Sequence, residues 1–211
     1  MSNTKKSSVN FENIPSALKK RNQWIGWNFE KNEEGRCKVI KRHMVDEYRA
    51  SVHVPDDWVD FETCKKCAYK FDGVGFVITR NDPFVVWRLE NCCDEKTGKI
   101  NKKAKIVMNH LDSYSEYSRS CKGLRIIVKG IIGPLGRKND RQKIQVFDEE
   151  KFLIVTGNRI VSAPKAVRSR KKICAKLHEN YFKRQIGYGL KDPAKRLKWL
   201  CYKYPTYSYL N

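Results

Sequence analysis

The chain has 211 residues, 40% of them apolar, so it can bury a core and is too hydrophobic to be a disordered tail. Lys and Arg outnumber Asp and Glu 44 to 23, and the net charge of +21 attracts polyanions, nucleic acid first among them. No apolar run approaches the ~20 residues of a membrane span and Met1 to Ser8 lacks the apolar core of a secretory signal, so a cytoplasmic protein with eight reduced cysteines is expected.

Residues 1–10 are polar and expected to be disordered. Residues 11–160 alternate short helical and strand-like segments. Ile14 to Gln23 reads as a helix with one apolar face, and Trp24-Ile-Gly-Trp27 as a strand. Asp60 to Phe71 reads as a second helix, followed by Gly73 to Thr79 and Phe84 to Glu90 as adjacent strands. Asn101 to Leu111 is expected to be helical, and the β-branched run from Gly123 to Lys129 to be a strand. Lys143 to Phe147 and Lys151 to Thr156 are expected to pair around a turn at Asp148 to Glu150. Such an order of helices and antiparallel neighbours predicts an α+β fold. Residues 161–211 read as a basic helical segment, in which thirteen Lys or Arg face two acids, Glu179 and Asp192. It ends in the aromatics Tyr202, Tyr204, Tyr207 and Tyr209, which suit base stacking or packing of the segment's end. With Met1 in place and so distinctive a tail, a complete small protein is expected.

The stretch from Asp82 to Cys92 is the most informative one. On a strand, residues two apart share a face, so Arg88 and Glu90 stand side by side. Two carboxylates at that spacing would seat a pair of Mg²⁺ ions for phosphoryl transfer. Here one of the positions carries a fixed positive charge.

Residues 11–160 resemble the bifunctional primase–polymerase domain of phage and plasmid replication proteins, a branch of the archaeo-eukaryotic primase superfamily. The resemblance rests on features in order: Trp24 to Trp27, Arg49-Ala-Ser51, Trp58 with Phe61-Glu62, Gly73 to Thr79 and Asp82-Pro-Phe84. It continues through Asp112 to Glu116, Gly123-Leu124 with Ile127 to Gly130, and Val155-Thr-Gly157. It implies a mixed or antiparallel sheet flanked by helices. It also implies divalent metal on an Asp-x-Asp of the central strand and a third acid on a later one, with a histidine toward the incoming triphosphate. Aligned on those features, the Asp-x-Asp falls on Arg88-Leu89-Glu90, the third acid on Gln145 and the histidine on Arg125.

Only Glu90 keeps a carboxylate. An arginine donates without accepting and cannot be deprotonated in a protein, so Arg88 is no metal ligand. It repels a cation across roughly 4–5 Å, on the order of several kcal/mol at an intermediate dielectric. A salt bridge to Glu90 would occupy the remaining acid, and Gln145 offers only a neutral carbonyl. No metal or cofactor is therefore expected, and Mg²⁺ or Mn²⁺ only if Glu90 recruits a shifted acid such as Asp94 or Asp112.

The replacements suit a metal-free phosphate site. Arg88 and Arg125, with Lys122, Lys129, Arg137 and Lys138 around the Gly133 to Lys138 loop, match phosphate bidentately or as point charges. Arg168, Arg170, Lys171 and Lys172 extend the basic set. An Arg88–Glu90 pair could equally be a structural repair. Zinc is the weaker alternative: Cys64 and Cys67 have ligand spacing, with Cys92 and Cys93 as further thiols, but the first pair falls in a predicted helix. His43, His53, His110 and His178 have no mutual spacing for a metal or a triad, and suit surface positions or local hydrogen bonds. Trp24, Trp27, Trp58 and Phe76 are expected in the core, and no Walker A loop occurs. Three functions follow, in this order: a nucleic-acid-binding relic of a mobile element, an interaction protein acting on a host nucleoprotein complex, and a residual polymerase.

Overall fold

Alternating apolar residues build two antiparallel sheets, and the structure, a computed structural model, describes them within residues 9–182. The tail tyrosines, most of the polar N-terminus and the basic stretch beyond Phe182 lie outside the described residues. The first sheet has the order β2-β1-β3-β9, from β1 (Trp24–Lys31), β2 (Cys37–Arg42), β3 (Gly73–Ile78) and β9 (Lys151–Val155). The second has the order β5-β6-β4-β8-β7, from β4 (Phe84–Leu89), β5 (Ser115–Tyr117), β6 (Leu124–Lys129), β7 (Lys138–Asn139) and β8 (Ile144–Phe147). Helices α1 (Ser16–Lys19), α2 (Phe61–Cys67), α3 (Lys102–Leu111) and α4 (Lys171–Phe182) complete an α+β architecture.

Alternation along β4 sorts its side chains between two cores. Val85, Trp87 and Leu89 join Leu124, Ile126, Val128, Ile144 and Val146 against α3 and α4. Phe84 and Val86 join Ile127, Trp24, Val74, Phe76, Leu153 and Val155 between the sheets, where Phe76 and Phe84 meet edge-on at 6.0 Å. Each large side chain buried this way stabilises the fold by about 1.5–3 kcal/mol. Helix α3 buries Ala104, Val107, Met108 and Leu111, a one-sided stripe, and the Asn101 side chain caps it by accepting the Ala104 N–H. Asp60 caps α2 in the same way, accepting from Glu62 and Thr63. Trp24, Trp27 and Phe76 are fully buried and Trp58 partly so, as expected.

Several expectations are corrected. Ile14 to Gln23 yields only the one-turn α1, because Pro15 starts it and the chain leaves helical geometry at Lys20. The strands β3 and β4 are consecutive but lie in different sheets; the Asp82 carboxylate accepts from Thr79 and Gln23 and fixes the crossing turn. The segments of β8 and β9 do not pair with each other: β8 pairs with β4 and β7, and β9 with β3. Strands β2, β5 and β7 carry too little apolar alternation to be read in advance.

The first part of the basic C-terminal stretch packs on the second sheet. Lys129 pairs with Ser169, and Cys174 and Phe182 of α4 enter the helix-side core. Among the described residues, no helix is long and apolar enough to cross a membrane.

Candidate nucleic-acid interface

Strand register brings the aligned positions together. Arg88 stands opposite Arg125 on β6 and opposite Gln145 on β8. Arg125 in turn stands opposite Glu116 on β5, and Gln145 opposite Lys138 on β7. One transverse row, Glu116-Arg125-Arg88-Gln145-Lys138, therefore crosses every strand of the second sheet on one face. That face also carries Phe84 and Val86, so the row continues the inter-sheet core toward solvent.

Burial grades the row. Glu116 and Arg125 are buried, whereas the Arg88 side chain is 47% exposed. Glu116 accepts from the Tyr114 hydroxyl at 2.9 Å and from the Gly157 N–H at 2.9 Å, and Thr156 N–H also points at it. Burial raises the Glu116 carboxyl above the usual range; the charge of Arg125 and these hydrogen bonds oppose the shift. Burial likewise lowers Arg125, Glu116 opposes that, and the like charge of Arg88 adds to it. The Arg125 Nη1 lies 3.6 Å from a Glu116 oxygen and has no hydrogen-bond partner, a buried donor still to be satisfied.

Arg88 reaches Glu90 at 2.9 Å. The backbone there is fixed by Gly123, where a Cβ would stand 2.4 Å from the Leu89 carbonyl oxygen. A cleft of about 380 Å³ opens over these residues, lined by Arg88, Glu90, Arg125, Arg119, Lys122 and Phe29 among others. The Arg119 guanidinium lies 4.4 Å from the Phe29 ring and 5.3 Å from that of Trp27, so a loop of the second sheet spans to the first. Lys122 is paired with Glu95 at 3.0 Å on the rim.

The geometry does not fit the metal seat that the resemblance implies. The resemblance implies a first ligand at Arg88, whose guanidinium instead pairs with Glu90, and the neighbouring Gln145 is neutral. Asp94 accepts from the Lys96 and Thr97 backbone and the Thr97 hydroxyl, and Asp112 is gripped by Arg168 and Arg170. Neither acid stands free to join Glu90. Among the described residues, no group of three or more His, Cys, Asp or Glu side chains could hold a metal ion.

Apart from Lys138 at the end of the row and Lys122 on the cleft, the other predicted basic residues fall elsewhere. Arg168, Arg170 and Lys129 meet at the opposite end of β6, with Lys171 and Lys172 opening α4 beside them. Arg137 is held by Asp148 and Glu149, and Lys138 by Asp140 at 2.8 Å. Cys64 is buried in the inter-sheet core and Cys92 in the helix-side core, so those thiols do not converge. His178, expected at the surface or in a local bond, is buried with one nitrogen on the Gly136 carbonyl. Glu116, Arg119 and Phe29 are site residues the sequence reading missed. An acid inside the short run Ser115-Glu-Tyr117 was the one available signal.

The charged row lies on the central strands of the second sheet of a two-sheet α+β domain. The chain is similar to a DNA primase-polymerase of Nitratiruptor phage NrS-1, 27% identical over 147 residues, a match covering 67% of this chain and 20% of that protein. That likeness bears out the primase–polymerase resemblance, and no protein-family model matches the chain.

Proposed function

We propose that this chain, the product of a phage-type mobile element, binds nucleic acid in the Arg88 cleft and does not carry out metal-dependent nucleotidyl transfer. The observation that carries the reading is the position of Arg88. It stands between Arg125 and Gln145, where a metal ligand would be needed, and its ion pair uses Glu90. Guanidinium groups suit phosphate, and the unsatisfied Nη1 of Arg125 supplies a buried donor behind the exposed Arg88 and Arg119. Phe29 lines the same cleft and holds the Arg119 guanidinium against its ring. The likeness to a phage primase–polymerase supports nucleic acid as the partner.

The test is binding of labelled oligonucleotide in EDTA over a salt series. The expected result is metal-independent binding that weakens steeply with salt, and that Arg88→Ala and Arg119→Ala each weaken by about three- to tenfold. Binding that needs Mg²⁺, or that neither variant affects, would remove the reading.

A further inference from the structure

We infer that the open edge of the first sheet, along β2, takes an extended segment of a partner protein that alternates acidic and β-branched side chains. This goes beyond the nucleic-acid reading and does not rest on it. In the order β2-β1-β3-β9, β2 is an edge strand with β1 as its neighbour. Its register sets Arg42, Ile40 and Lys38 opposite Gly26, Asn28 and Glu30. The Trp27 carbonyl accepts from the Asp72 N–H, and the Phe29 N–H donates to the Asp72 carboxylate. The backbone groups of Trp27 and Phe29 therefore face β3, and those of the alternate residues bond to β2.

The same alternation turns the odd-numbered residues of β2 outward. The Lys41 carbonyl accepts the Ala50 N–H at 3.0 Å, and the His43 N–H donates to the Tyr48 carbonyl at 2.9 Å. Tyr48 to Ala50 thereby cover one end of the edge. The chain then turns away, with the Ser51 N–H on the Asp57 carboxylate. The N–H and C=O groups of the exposed Cys37 and Val39 continue the outward row, and no protein group among the described residues meets them. Strand β3 pairs with β1 only from Trp24 to Trp27, so the outer half of the β1–β2 hairpin is a two-stranded ribbon. A third strand would stabilise it.

Side chains set the chemistry of that strand. Arg36, Lys38 and Arg42 share one face of the edge, whereas Cys37 and Val39 lie on the other, with Val39 directly opposite Phe29. Arg36 is paired with Glu34 and Arg42 with Glu30, and Lys38 has no carboxylate partner among the described residues. An incoming strand with alternating side chains can set an acid beside Lys38 and a β-branched residue beside the 37%-exposed Val39. A second copy of this chain fits poorly, because its β2 would bring its own Arg36, Lys38 and Arg42 into the junction. Lysine at an edge deters like-charged strands and leaves an acidic one as the complement.

The experiment measures anisotropy of a labelled synthetic peptide of about eight residues, alternating glutamate with valine, at about 0.15 M salt. The wild-type chain is expected to bind it. A peptide of the same sequence and charge, N-methylated at consecutive central amides so that it cannot pair as a strand, is expected to bind about tenfold more weakly. Val39→Pro is expected to weaken the first peptide by about tenfold, since it removes an outward N–H and none that β1 uses. Lys38→Glu is expected to weaken it as well. An unaltered melting temperature verifies that each variant folds, and the comparison of the two peptides needs no variant. Absence of binding, equal affinity for both peptides, or a folded Val39→Pro chain that binds as the wild type does would overturn the inference. So would self-association that Val39→Pro abolishes, because a second copy would then be the occupant. None of these outcomes bears on binding in the Arg88 cleft.

Discussion

Arg88 and Arg125 face each other directly across β4 and β6, two like charges at adjacent positions of one sheet face. Like charges so placed are unfavourable unless compensated. Each has its own acid: Glu90 at 2.9 Å from Arg88, and Glu116 at 3.6 Å from Arg125. The outer pair is half-exposed and contributes about 0–1 kcal/mol. The inner pair is buried, so it holds Arg125 in place, and removal of either partner leaves a costly charge.

Glu116→Ala is accordingly expected to destabilise the domain by about 3–5 kcal/mol, because it strands Arg125 and orphans the Tyr114 hydroxyl and the Gly157 N–H. Replacing Glu116 and Arg125 together by leucine is expected to cost less than the sum of the single changes. Urea denaturation of the four proteins in the cycle measures this.

His178 should give the fold an acid sensitivity. Burial lowers its pKa from 6.5 to about 4, with the nearby Arg137 acting in the same direction and Asp148 and the Gly136 carbonyl against it. The folded protein therefore keeps the imidazole neutral where the unfolded chain binds a proton. Stability from this residue is full above pH 6.5 and is lost as pH falls toward about 4, on the order of 2–3 kcal/mol. Glu116 acts oppositely at acid pH, because its raised carboxyl favours the protonated form in the folded state. Melting curves of wild type and His178→Phe between those pH values are expected to diverge, the variant being less sensitive to acid.

Gly123→Ala is expected to cost about 1–3 kcal/mol, since the new methyl group would press on the Leu89 carbonyl where β6 packs against the end of β4. The same shift would displace Glu90 and Arg88. Oligonucleotide affinity should fall along with the melting temperature.

Arg88→Ala removes the most exposed guanidinium of the row, and its salt dependence separates a phosphate contact from a structural repair. The slope of log affinity against log salt is expected to fall by about one unit. An unchanged slope would mean that Arg88 serves only Glu90.

The strands of the central row were legible because β4 and β6 are rich in β-branched and aromatic residues, and α3 because its apolar stripe follows a capping asparagine. Pairing partners were not. β8 and β9 are separated by so short a turn that a hairpin is the local expectation, and only the packing of both sheets sends them apart. At the site, the order of motifs singled out Arg88, Arg125 and Gln145, and strand register does set the three side by side. The partner of Arg125 could not, because Glu116 is brought to it by strand pairing and nothing local marks an acid as buried. Likewise, Arg168 and Arg170 are neutralised by Asp112, Arg137 by Asp148 and Lys138 by Asp140, and only the last acid is near its partner in sequence.

The central claim is that nucleic acid binds here without metal-dependent chemistry, and a primed template incubated with labelled deoxynucleotides and Mg²⁺ or Mn²⁺ tests it most directly, alongside binding in EDTA. The account predicts binding in EDTA and no incorporation with either metal. Incorporation that Glu90→Ala abolishes would show that this carboxylate holds a catalytic ion despite Arg88, and would contradict it.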